Sequence, residues 1–129
     1  MTTTAPITDD SPTLLARIAQ TGDAAAWSEL VQRHGTAMYR AALAVARRPD
    51  RADDAVQEAL LHVRRRADRF HDPGNDGELS VRRWLQRLAA NAASSLLTSE
   101  RTRSRHEANI ARAAPVETGM IDHANEPAV

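Results

Sequence analysis

The chain has 129 residues with 17 basic and 17 acidic side chains, so its formal net charge is zero and no global field attracts it to nucleic acid. It contains no cysteine, which excludes disulfides, thiolate metal sites and thiol nucleophiles. It also has no apolar run of membrane-spanning length and no N-terminal signal pattern, so we expect a cytoplasmic protein with no membrane segment.

Composition favours packed helices over a sheet, because aromatic residues make up only 3% of the chain while alanine and leucine are abundant. The length predicts one small domain with a modest core. Every basic residue other than histidine is arginine. Arginine suits phosphate contacts and base stacking, but a sequence rich in alanine and arginine is equally what GC-rich codon usage produces.

The first part of the chain predicts a disordered segment followed by three helices. Residues 1–12 are rich in threonine and cannot bury enough apolar surface to become ordered. A first helix covers about residues 13–21, a second begins after a cap by Asp23 and ends at Gly35, and a third covers about residues 36–47. Their predicted core residues are Leu14, Leu15, Ile18, Trp27, Leu30, Val31, Met38, Tyr39, Ala42, Leu43 and Val45.

A central helix is predicted from Pro49 towards Phe70. Pro49 cannot continue the preceding helix, and Asp50 can accept hydrogen bonds from the first free N–H groups. Apolar residues then recur at three-four spacing for about four turns. The outward face carries acidic and amide groups around one exposed leucine, namely Asp53, Asp54, Gln57, Glu58 and Leu61, and the basic run Arg64, Arg65 and Arg66 follows.

A last long helix is predicted after a loop at residues 71–77, with Ser80 as its cap. Trp84 falls in the apolar stripe of this helix, so we expect it in the core rather than as a base-stacking residue. After about residue 106 no helix stripe remains, and we expect residues 107–129 to be a disordered tail. The outward side of the helix carries Arg83, Arg87, Asn91, Ser94, Ser95 and Thr98, and Arg101, Arg103 and Arg105 continue beyond it.

These elements predict a compact all-α bundle of about four to five helices over residues 13–106. No chemistry of an enzyme is visible. The histidines do not have the spacing of a metal site, and no glycine-rich loop has the residues that cradle phosphate. We therefore expect neither catalysis nor a cofactor nor a bound metal.

A set of motifs resembles a known family. The run Asp54–Glu58, followed by Phe70 and later by Trp84 and Asn91, is similar to region 2 of the sigma-70 family, and most similar to its extracytoplasmic-function branch. The resemblance covers roughly residues 13–106. It implies a helical fold and the function of a bacterial transcription initiation factor.

The resemblance also implies two sites and their partners. The outward face of the central helix would bind the clamp of the largest catalytic subunit of core RNA polymerase. The last helix and the loop before it would melt the minus-ten promoter element and hold flipped bases of the non-template strand. The residues of this DNA site would be Asn75, Ser80, Arg83, Arg87, Asn91, Ser94, Ser95, Thr98, Arg101 and Arg103. An anti-sigma factor would be a further partner.

The residues alone leave simpler interpretations open. Asp53 and Asp54 would favour a helix start in any protein, and the arginine and serine face would also serve as solvated surface. The chain departs from the family pattern at Ala90, at Ser95 and at Thr98–Glu100, where family members often carry basic or acidic residues. These departures leave a second function open, namely a helical module that binds polymerase or an anti-sigma factor without opening DNA.

The family also has a second helical domain, region 4, that reads the minus-thirty-five element. The sequence ends where the linker to that domain would begin. We therefore expect either a protein with region 2 alone or a truncated product.

Overall fold

The computed structural model describes residues 9–70 and 76–112, and in this part of the chain all regular structure is helical. The predicted all-α fold is confirmed. The helices are α1 (Ser11–Thr21), α2 (Ala24–Ala46), α3 (Pro49–Arg66), a short 3-10 helix (Ala67–Arg69) and α4 (Gly77–Arg112). The chain divides into two compact units between Leu97 and Thr98, and the hydrophobic core belongs to the first.

Helix α1 begins two residues earlier than predicted. The carboxylate of Asp10 caps it by accepting the backbone N–H of Thr13 at 3.0 Å, and Pro12 occupies the first turn. Ser11 is completely buried, so its predicted disorder is wrong. The helix ends at Gly22, whose left-handed backbone (φ 66°) suits glycine better than any other residue.

Helix α2 is one continuous helix, although the sequence predicted a break at Gly35. A buried stripe with a spacing of four runs through the position, from Leu30 through His34 to Met38. The burial of this stripe outweighs the cost of one glycine inside a helix, which is about 1 kcal/mol. The helix ends at Arg47, which adopts a left-handed backbone with φ 67°.

Helix α3 follows the predicted pattern except at its cap. Pro49 lies in the first turn, as predicted, but Asp50 does not cap the helix. Its carboxylate instead accepts a hydrogen bond from the guanidinium of Arg48 at 3.3 Å, because Asp50 already lies inside the first turn. The predicted inward stripe is confirmed by the buried residues Ala52, Ala55, Ala59, Val63 and Ala67.

Helix α4 begins at Gly77, and Asp76 rather than Ser80 caps it. The Asp76 carboxylate accepts the N–H of Leu79 at 3.2 Å, and its carbonyl accepts the N–H of Ser80 at 2.9 Å. Ser80 therefore lies within the first turns, and its predicted capping role is wrong. The core side of α4 is formed by Val81, Leu85, Ala89 and Ala93.

The far part of α4, residues 98–112, forms the described part of the second unit. None of residues 98–111 is buried. It remains helical because propagation from an existing helix costs much less than nucleation. The helix thus extends to Arg112, into the segment 107–129 that was predicted to be disordered, and residues 113–129 lie outside the described part. None of the described helices combines the length and apolar character needed to cross a bilayer.

Candidate functional site

The exposed face of α3 carries the residues predicted to bind a protein partner. At about 100° per residue, Asp53, Asp54, Gln57, Glu58 and Leu61 fall within an arc of about 140°, with Leu61 near its centre. The buried stripe of the same helix lies about 180° away. All five residues are exposed, and Leu61 is 51% exposed. We call these five residues the α3 face.

The carboxylates of the α3 face have no basic partner among the described residues. Within the part of the chain that the structure describes, Asp53, Asp54 and Glu58 form no ion pair. One turn beyond Leu61, the guanidinium of Arg64 lies over the ring of Trp27 on α2, with its carbon 5.0 Å from the ring centroid. Carboxylates around an exposed leucine, next to this arginine, form a surface for a partner with basic side chains and an apolar pocket.

The outward side of α4 carries the residues predicted to bind DNA. Within the first unit, Arg83, Arg87, Asn91, Ser94 and Ser95 are exposed, and Ser80 is half-buried. At about 100° per residue these six residues fall within an arc of about 120° on the side away from the core. Together they are called the α4 face. Its guanidinium, amide and hydroxyl groups can donate to phosphate and to base edges.

The remaining members of the predicted DNA site belong to the second unit or lie outside the described residues. Thr98, Arg101 and Arg103 are exposed on the helix of the second unit. Asn75 lies outside the described residues. Six of the ten predicted residues therefore share one surface of the first unit, and the role of all ten in binding DNA stays a prediction.

Trp84 differs from its predicted place in the core. It is half-buried and packs against the hydrophobic core from its rim, where its ring meets that of Phe70 with centroids 5.5 Å apart. On the helical wheel it lies about 40° from Ser80, and therefore inside the arc of the α4 face, near the edge formed by Ser95. Trp84 does recur at helical spacing with other apolar residues of α4. The core side of the helix, however, is centred on Leu85 and Ala89, so Trp84 lies to one side of it.

A polar cluster around the buried residues Ser11 and His34 was missed by the sequence analysis. Ser11 Oγ lies 2.8 Å from Nε2 of His34 and donates to Oε1 of Glu78 at 2.9 Å, and the backbone N–H of Ser11 donates to Oε2 of the same carboxylate. Arg82 donates from Nε to Nδ1 of His34 at 3.3 Å and from Nη2 to the carbonyl of Arg33 at 3.0 Å. The sequence did carry a clue, because His34 occupies the apolar stripe of α2 at a spacing of four.

The proton positions in this cluster follow from its donors. Arg82 can only donate, so Nδ1 of His34 must accept. The other ring nitrogen of His34, Nε2, therefore carries the hydrogen and donates it to the Ser11 hydroxyl. His34 is therefore neutral, and burial, reinforced by the charge of Arg82, holds its pKa below the ordinary value, although Glu78 acts in the opposite direction.

The cluster does not have the arrangement of a hydrolytic triad. In such a triad a carboxylate holds the Nδ1–H of histidine, whereas here a guanidinium occupies that place and the carboxylate contacts the serine. Ser11 is also completely buried and cannot meet a substrate. Among the described residues, no group of three or more His, Asp or Glu is placed to hold a metal ion.

Comparison with known proteins identifies the domain type. A family model described as Sigma-70 region 2 matches residues 30–103, which is more than half of the chain and includes both the α3 face and the α4 face. No curated protein and no solved structure matches the chain.

Proposed function

Because the chain belongs to the Sigma-70 region 2 family, we propose that it is a sigma factor-like transcription initiation protein. In this proposal the α3 face binds the clamp of the largest catalytic subunit of core RNA polymerase. The α4 face binds the non-template strand of the minus-ten promoter element. The single observation that carries the proposal is that one helix presents an acidic face around an exposed leucine while another presents a basic and polar face.

The chemistry of the α3 face supports the polymerase assignment. Its carboxylates form no ion pair within the described residues, so they are available to arginine or lysine side chains of a partner. Charge-assisted hydrogen bonds of this kind are stronger than neutral ones. Leu61 supplies the apolar anchor that such an interface needs at its centre.

The chemistry of the α4 face supports the DNA assignment. Arg83 and Arg87 can neutralise phosphates, which positions the strand without reading its sequence. Asn91 lies one turn beyond Arg87, and its amide can form two hydrogen bonds to one base edge. The half-buried Trp84 lies inside the arc of the same face, where its exposed part could contact a displaced base.

Finer parts of the proposal rest on the motif alone. We assign the chain to the extracytoplasmic-function branch because of Asp54–Glu58 together with Trp84 and Asn91. An anti-sigma factor is a proposed regulator, and its binding would compete with polymerase at the α3 face. A cytoplasmic location follows from the same proposal, since core polymerase and promoter DNA are found there.

The test is co-purification with core RNA polymerase followed by a promoter-opening assay with the reconstituted complex. Stable binding and opening of a minus-ten element support the full proposal. Binding without opening would leave a helical module that occupies the polymerase or an anti-sigma factor, in keeping with the departures at Ala90 and Ser95. Absence of polymerase binding would overturn the proposal.

A further inference from the structure

We propose that Glu78, His34 and Arg82 are positioning residues that fix the first turns of α4 on α1 and α2, and thereby set the direction in which the α4 face meets DNA. The inference rests on the proposed function for its consequence, although the tie itself can be tested in the free protein. We call these three residues together with Ser11 the α4 joint.

The α4 joint connects three helices over two successive turns of α4. In the first turn, Glu78 accepts hydrogen bonds from the backbone N–H and hydroxyl of Ser11, so it also serves the free N–H groups at the start of α1. One turn later, Arg82 donates to the carbonyl of Arg33 and to His34 on α2. The beginning of α4 is thus held on α1 and α2 at once.

Polar contacts fix this helix in a way that apolar contacts cannot. Val81 and Leu85 pack into the core from the same turns, but hydrophobic burial has no direction and tolerates rotation of a helix about its axis. A buried hydrogen bond does have a direction, and leaving its donor or acceptor unpaired is costly. Ser11 and His34 are both buried, so their partners on α4 must stay in place.

The joint and the α4 face lie on different sides of the same helical turns. At about 100° per residue, Glu78 and Arg82 each project about 160° away from Ser80, on the side of α4 opposite the α4 face. Ser80 and Arg83 lie on the α4 face within the same two turns. A rotation of α4 that broke the joint would therefore turn both residues away from their places by the same angle.

Neutral His34 is the form that the joint requires. Protonation at Nδ1 would remove the acceptor for Arg82 and would place a third cation beside Arg82 of α4 and Arg33 of α2. Glu78 of α4 is the carboxylate that faces His34, while Arg33 is also paired with Glu29 of α2 and lies near Asp10 at the start of α1. Protonation would place a cation beside Arg82 and remove the acceptor of its hydrogen bond, so it would weaken the tie to α2.

The first variant for the test is Glu78→Gln, which keeps the size of the side chain but turns one acceptor towards Ser11 into a donor. Glu29→Gln is the matched control. Glu29 pairs with Arg33 within α2 at 2.9 Å and forms no hydrogen bond to α4, although Arg33 also lies 3.4 Å from Glu78, so this variant controls for a change of charge at Arg33. Arg82→Gln is a second joint variant, which removes the guanidinium but keeps a shorter amide donor on α4.

In the free protein, the measurement is amide hydrogen exchange along α3 and the first turns of α4. We expect both joint variants to speed exchange at residues 81–86 by about tenfold and to leave exchange in the middle of α3 unchanged. Glu29→Gln should leave exchange unchanged in both segments. Exchange at residues 81–86 that stays at the parent rate in both variants would show that the contacts do not hold α4, and would overturn the inference.

In the complex, the measurements are polymerase affinity and affinity of the complex for pre-opened promoter DNA. We expect the joint variants to lose about tenfold in DNA affinity at unchanged polymerase affinity, because the α3 face is untouched. A parallel fall of both affinities with thermal stability would mean general destabilisation and would overturn the positioning role. If the parent chain binds no polymerase, the proposed function fails, and the exchange data alone decide whether the joint exists.

Discussion

The ring of Trp84 on α4 packs against the ring of Phe70, which follows the 3-10 helix, with centroids 5.5 Å apart and ring planes tilted by 53°. This geometry is typical of favourable aromatic pairs. The contact joins the two ends of a stretch whose middle, residues 71–75, lies outside the described part. Trp84 therefore has a structural task of its own beside any contact with DNA.

We expect Trp84→Ala to destabilise the domain by about 3 kcal/mol, at the lower end for aromatic truncation because the side chain is only half-buried. Chemical denaturation measures the change. Trp84→Phe is the control, since it keeps a ring against Phe70 and should lose much less. A stability that barely moves in Trp84→Ala, with DNA opening lost, would show that Trp84 acts mainly as a stacking residue.

Reversing charge on the α3 face should abolish polymerase binding without unfolding the domain. Asp54→Arg combined with Glu58→Arg would place cations where the proposed partner presents basic groups, and like charges across an interface cost several kcal/mol. Both residues are exposed, so the fold should tolerate the change. The measurement is retention of core polymerase on the immobilised protein.

The control for this reversal is Asp68→Arg, which changes an exposed carboxylate of the 3-10 helix outside the α3 face. It should bind polymerase like the parent. Equal binding by the double reversal would place the polymerase contact elsewhere on the chain.

On the α4 face, arginine and asparagine should behave differently towards DNA. Arg87→Ala should weaken binding to all sequences alike and reduce the log-log salt slope by about 0.7, as expected for one lost phosphate contact on a single strand. Asn91→Ala should cost about 1–3 kcal/mol only with the preferred base at one promoter position. The assay is binding of the polymerase complex to pre-opened promoter DNA across salt and base substitutions. Parent-like binding by both variants would leave the α4 face as solvated surface.

Two glycines should respond in opposite directions to alanine. Gly35 lies inside α2, where an added Cβ would meet only Val31 Cγ1 at 3.9 Å, an ordinary contact. Gly35→Ala should therefore stabilise the domain by about 0.5–1 kcal/mol. Gly22 has φ 66°, so Gly22→Ala should destabilise by about 1 kcal/mol although no atom lies near the new Cβ. Thermal melts of the two variants check the pair, and a destabilised Gly35→Ala would mean that the helix there is strained.

Protonation of His34 should make the folded protein less stable in mild acid. Its pKa lies below the ordinary value of about 6.5, so the unfolded state binds more protons as pH falls below that value. Stability should fall from about pH 6.5 downwards, and His34→Gln should remove this part of the slope. Asp10 and Asp23 also have lowered pKa values, but their contributions are lost only below the ordinary aspartate pKa of about 3.8. Urea denaturation at pH 7 and pH 5 measures the difference, and identical slopes in the two proteins would contradict it.

Periodicity predicted which sides of the helices are buried, because that information is local. The stripe of α3, the exposure of Leu61 and the outward position of Arg87 and Asn91 all follow from spacing within one helix. The continuity of α2 through Gly35 did not follow, since a residue's own propensity is weaker than the burial of its neighbours.

The α4 joint could not be predicted, because its contacts join residues far apart in the sequence. Ser11 and Glu78 are separated by 67 positions, and nothing in the sequence around either of them indicates the other. The cap of α4 by Asp76 instead of Ser80 shows a smaller limit, since two polar residues close together both fit the capping pattern.

Tryptophan fluorescence can distinguish events at the two surfaces of the chain. Trp27 lies beneath the guanidinium of Arg64 next to the α3 face, and Trp84 lies against Phe70 inside the arc of the α4 face. The sequence has no other tryptophan, so replacing either one by phenylalanine leaves a single indole emitter. The emission of Trp27 would then follow events that displace Arg64, and the emission of Trp84 would follow events that reach the start of α4. Two unlabelled single-tryptophan variants can in this way report on the two surfaces separately.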